Sequence, residues 1–115
     1  MFKEKDTLKI EFILTMIDDI YEYLNKFGTI ENLLNDKMGF NATLLHLMQI
    51  GETLNKLEKK YKELLDKDIK GAYNVRNFIA HDYDGVRKPI IESIIREHLP
   101  KLKENLENIL KNCEK

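Results

Sequence analysis

The chain has 115 residues, 43% of them hydrophobic and 34% charged, with only 5 glycines and 2 prolines, the balance of a water-soluble helical protein and not of a disordered or membrane one. Its 19 basic and 20 acidic side chains leave a net charge of −1, so there is no general basic field to grip nucleic-acid phosphates, and any such contact has to be local. One cysteine, Cys113, excludes an intrachain disulfide and a multi-cysteine zinc site.

No apolar run approaches the roughly 20 residues that span a bilayer. Met1 to Lys9 is charged and lacks an apolar signal core, which predicts a cytoplasmic location with no membrane contact. From about Asp6 to Phe27, Ile10, Ile13, Ile17, Ile20, Leu24 and Phe27 recur at alternating steps of three and four, the stripe of an amphipathic helix. Gly28 ends it, and Thr29 is placed to cap a short helix through Ile30, Leu33 and Leu34.

Asn41 reads as the cap of a long second helix reaching about Leu65, with the stripe Leu47, Ile50, Leu54, Leu57, Tyr61 and Leu64. Gly51 stands in its middle at a cost of about 1 kcal/mol relative to alanine, which predicts close approach of a neighbouring helix. Glu52 beside it is then placed to pair with an arginine on that neighbour.

Asp68 is read as the cap of a third helix through Gly71, Ala72, Val75, Ile79 and Ala80, whose small residues suit packing on Gly51, with Gly85 just past its end. A fourth helix starts near Pro89 and runs through Ile91, Ile95, Leu99, Leu102, Leu106, Ile109 and Leu110, with a kink at Pro100. The sum is an all-α antiparallel bundle of four to five helices, residues 1–115 forming one domain.

The chemistry concentrates in Val75-Arg76-Asn77-Phe78-Ile79-Ala80-His81-Asp82-Tyr83-Asp84-Gly85, which sets a fixed cation, an imidazole and a phenol within eight residues. Arg76 offers bidentate contact to a phosphate or carboxylate; it is read either as a ligand-binding group or as the structural partner of Glu52, and both roles can hold together. His81 lies near a helix C-terminus with Asp82 and Asp84 following, and dipole and carboxylates both favour its imidazolium, which suits general acid–base work.

Asn77, four residues before His81, is placed to bond the ring or a phosphate. Tyr83 packs near the helix end, at least partly exposed. His46 and His98 lie beside the apolar stripes and read as partly buried or surface residues. A metal site at His81, Asp82 and Asp84 has too few ligands, set too close in sequence. Five residues rotate about 140° round a helix, so Arg76 and His81 converge only if the helix frays or a second copy of the motif faces the first, as in a symmetric dimer.

Arg76-x4-His81, with Asn77 after the arginine and Tyr83 two after the histidine, resembles the signature of HEPN-domain proteins. The longer pattern resembles the HepT-like branch, the toxin half of the HepT/MntA type VII toxin–antitoxin systems. It includes Gln49-Ile50-Gly51-Glu52, Asp82-Tyr83-Asp84-Gly85-Val86 and Leu99-Pro100-x-Leu102, and covers essentially the whole chain. The resemblance implies a HEPN-like helical homodimer and a metal-independent, cofactor-free ribonuclease acting on RNA at an interfacial cleft. Arg76 and His81 would be its catalytic pair, with Asn77 and Glu52 in support. It further implies silencing by a MntA-like minimal nucleotidyltransferase antitoxin that transfers AMP to Tyr83. The competing readings are a non-catalytic HEPN helper that binds nucleotide or a nucleotidyltransferase partner, and a plain dimerisation bundle.

Overall fold

The computed structural model describes residues 5–57, 61, 63, 65–81 and 85–113, and among them every element of regular structure is helical. The first apolar stripe becomes α1 (Lys5–Phe27), whose Ile10, Ile13, Ile17 and Ile20 are completely buried. Gly28 stops it at φ +89°, a conformation in which a side chain would be strained. Thr29 caps α2 (Ile30–Asn35) as expected, its Oγ1 accepting the Asn32 N–H at 3.0 Å.

The second long helix begins earlier than Asn41. It is α3 (Lys37–Asn55), and Asp36 caps it by accepting the Gly39 N–H at 2.8 Å. Gly39 permits this start, because a Cβ there would lie 2.6 Å from the Leu33 carbonyl of α2. Nor does α3 reach Leu65. After Asn55 the Lys56 and Leu57 N–H groups bond back only three residues, to Thr53 and Leu54, and the helix tightens and ends. Leu57, Tyr61 and Leu65 still enter the core, while Leu64 lies outside the described residues.

The third helix is α4 (Asp66–His81), which starts before Asp68. The Asp68 carboxylate accepts a hydrogen bond from Asn105 Nδ2 at 2.9 Å. Gly85 follows the last residue of α4 by four positions, with residues 82–84 outside the described set.

The predicted fourth helix is made of three pieces: α5 (Lys88–Ser93), a π turn (Ile94–His98) and α6 (Leu99–Cys113). Pro89 sits in the first turn of α5, where its missing N–H costs nothing. Pro100 acts one turn upstream of itself. It has no N–H for the carbonyl four residues back, and the chain widens so that the Leu99 N–H bonds five back, to Ile94. The stripe continues across the widening, with Ile91, Ile95, Leu99, Leu102 and Leu106 all buried.

Helix α3 is central, packing on α1 along one side and on α4 along the other, while α1 also meets α6. Between α1 and α6, Lys103 Nζ meets Asp18 at 3.0 Å and lies over the Tyr21 ring. Among the described residues no helix is long and apolar enough to cross a membrane.

Candidate active site

The site begins with a missing side chain. A Cβ on Gly51 would lie 2.6 Å from the Ala72 carbonyl oxygen and 2.8 Å from Arg76 Cβ, so α4 rests directly on the backbone of α3. The expected partner Gly71 takes no part, since its Cα faces open space; Ala72 and Arg76 make the contact. This close approach brings Glu52, one residue on, to the guanidinium.

Arg76 Nε and Nη2 both donate to Glu52 Oε1, at 3.0 and 2.8 Å. Nη1 donates to Asn77 Oδ1 at 2.9 Å, so Asn77 steadies the arginine rather than reaching toward the His81 ring. The guanidinium also lies over the Tyr73 ring, 5.8 Å from its centroid. Tyr73 stands outside the Arg76–His81 motif, and only its i, i+3 spacing from Arg76 on a helix marks it in the sequence.

A guanidinium has five N–H donors, and three are committed. Among the described residues this leaves one N–H on Nη1 and one on Nη2, two adjacent donors suited to two oxygens of one phosphate. The Arg76 and Glu52 side chains remain 28% and 36% exposed, so the pair adds little to stability, at most about 1 kcal/mol. What it fixes is direction.

His81 is the last residue of α4 and is exposed. The helix is continuous from Arg76 to His81, so fraying does not bring them together. They stand about 140° apart around the axis and about 7.5 Å apart along it. Tyr83, Asp82 and Asp84 lie outside the described residues. Among the described residues no three His, Cys, Asp or Glu side chains gather where a metal ion could sit.

His46 is a structural residue, as its place beside the stripe predicted. Its Nδ1–H donates to the Ala42 carbonyl at 2.8 Å, leaving Nε2 to face Tyr23 Oη at 3.3 Å and Asp19 at 3.5 Å. His98 is exposed on the π turn.

A protein-family model described as "Ribonuclease HepT-like" matches residues 13–109, a span that holds α3, α4 and the Glu52–Arg76–Asn77 cluster. The chain belongs to this HepT-like family. Three relatives of Methanocaldococcus jannaschii are each 29% identical to it over 106 residues, which is 89% of this chain. "Putative RNase MJ0125" is matched over 88% of its length, and "Putative RNase MJ0127" and "Putative RNase MJ1216" over 84% of theirs. No solved structure matches the chain. For a HepT-like protein the all-α, HEPN-like bundle is the expected architecture, and the helices of this chain conform to it.

Proposed function

We propose that this HepT-like protein is a toxin endoribonuclease that cleaves RNA without a metal ion, at a site completed by two copies of the chain. The observation that carries the proposal is the orientation of Arg76. Glu52 and Asn77 hold its guanidinium while one N–H on each terminal nitrogen remains for a phosphate. A plain structural pair has no need of that second fork. The family's description and the names of the methanogen relatives support RNA as the substrate class.

In this reading Arg76 grips the non-bridging oxygens and stabilises the charge that gathers on them as the phosphorane forms. One His81 takes the proton of the 2′-hydroxyl, whose oxygen attacks the phosphorus. The second copy's His81, protonated, gives its proton to the departing 5′ oxygen. The products are a 2′,3′-cyclic phosphate and a free 5′-hydroxyl, with the protonation states of the two histidines exchanged. The angular separation of Arg76 from His81 on α4 favours a dimeric site, because one helix alone does not aim both at one phosphate.

Control falls to Tyr83. A MntA-like nucleotidyltransferase antitoxin would transfer AMP to its hydroxyl, adding bulk and negative charge two residues from His81, and RNA would be excluded by contact and by repulsion.

The deciding experiment incubates labelled RNA with purified protein in EDTA, beside Arg76→Ala and His81→Ala. Cleavage by the wild type alone, leaving cyclic-phosphate ends, is the expected result. A folded, unmodified dimer that leaves RNA intact would overturn the ribonuclease reading in favour of the non-catalytic helper.

A further inference from the structure

A groove of about 720 Å³ runs between α4 and the α5–π–α6 arm. Helix α4 packs chiefly on α3 and stands off α6, spanned by the Asn105–Asp68 hydrogen bond. Leu47, Ile50, Leu99 and Leu102, all buried, form the floor. Ala72 and Val75 make one wall, and Ile90 and Ile94 the other, with Ile90 still 44% exposed. The groove owes its far wall to the π turn, which carries Ile94 and His98.

We propose that this groove binds a long-chain fatty acid, its acyl chain along the floor and its carboxylate between Lys67 and Lys101. The charges at the mouth carry the choice of head group. Lys67, His98 and Lys101 line the groove, and neither lysine is in ion-pair contact among the described residues. Cations elsewhere on the same arm are committed, Lys103 to Asp18 and Arg96 to Glu31 and Glu92. Asp68, the acid at the mouth, accepts from Asn105 and keeps its charge, so Lys67, Lys101 and Asp68 together leave that end of the groove positive by one.

The walls carry the choice of body. They are aliphatic, with no Phe, Tyr or Trp on which a nucleobase would stack, so a flexible chain fits better than a nucleotide. The volume falls within the roughly 300–1,000 Å³ of small-ligand sites. The site is independent of the ribonuclease reading, since Arg76, Glu52 and His81 are not among the residues that line it.

The test titrates the full chain with cis-parinaric acid, a fluorescent C18 carboxylate, and competes it with palmitate and with neutral hexadecanol. Expected is saturable binding of one molecule per chain, displaced by palmitate and at least tenfold less well by hexadecanol. Ile94→Trp, which fills the groove, should abolish it with helix content unchanged, and Lys67→Glu/Lys101→Glu should weaken it at least tenfold. Should Ile94→Trp not fold, Val75→Phe fills the opposite wall and the lysine pair still reads the head group. No saturable binding, or binding indifferent to all of these changes, overturns the proposal. So does a fall in assembly mass with Ile94→Trp in a protein that takes up no fatty acid, since the groove would then be an interface between copies.

Discussion

Arg76 is held by what surrounds it. Because Glu52 and Asn77 take three of its five donors, the charge cannot swing freely, and in the ribonuclease proposed above a phosphate would meet a guanidinium already fixed in place. Arg76→Lys keeps the charge and loses the fork; single-turnover RNA cleavage should fall by about 10²–10³-fold while the unfolding midpoint hardly moves. Glu52→Gln should cost cleavage about 10–100-fold through misdirection of the guanidinium. His81, exposed at the end of α4, should tolerate replacement structurally: His81→Ala is expected to stay within about 0.5 kcal/mol of wild-type stability by urea denaturation, yet cleave nothing. Two histidines acting as base and acid predict a bell-shaped dependence of the cleavage rate on pH, and a single titration would refute that division of labour.

At the scale of helices, the glycines separate two physical situations. Gly51→Ala drives a methyl against the Ala72 carbonyl and Arg76 Cβ, where backbone has to move, and should destabilise the fold by about 1–3 kcal/mol and lower cleavage with it. Gly71→Ala, on the next helix, meets nothing within 4 Å and should stabilise α4 by up to about 1 kcal/mol. Denaturant titration of the two variants side by side is the measurement, and equal effects would mean that the α3–α4 seam is not as tight as described. The α1–α6 link has a pH signature. The Lys103 ammonium is held above its ordinary pKa, first by its hydrogen bond to Asp18. Its small contribution is present below about pH 10 and disappears as pH rises through the raised value. Asp18→Asn should remove that alkaline component from a stability-versus-pH curve.

For the whole molecule, the separation of Arg76 and His81 on one helix is the reason to expect a site that a lone chain does not complete. If base and acid come from two copies, a mixed dimer of wild type and His81→Ala should be as inactive as the variant alone. Co-purified mixed dimers carrying different affinity tags would show this, and half of the wild-type activity would instead mean that each chain works by itself. Sedimentation should give about twice 13.6 kDa for the active species.

The sequence by itself determined the all-α class, the four fully buried isoleucines of α1, the Gly28 stop and the Thr29 cap, and it offered Glu52 as one of two partners for Arg76, which the structure then joined to it. Each follows from local rules: a period of three to four, a backbone only glycine adopts readily, a hydroxyl beside free N–H groups, and a glycine that invites a neighbour. What only the tertiary structure decided were choices between residues equally able locally. Asp36 caps α3 instead of Asn41 because Gly39 lets α2 pack against the earlier turn. Ala72 rather than Gly71 meets Gly51, because the roll of α4 about its own axis is set by packing on α3, which no periodicity encodes to within one residue. Asn77 turns to Arg76 instead of His81 for the same reason: the guanidinium is held by a second helix, and a side chain bonds to whatever that packing leaves within reach.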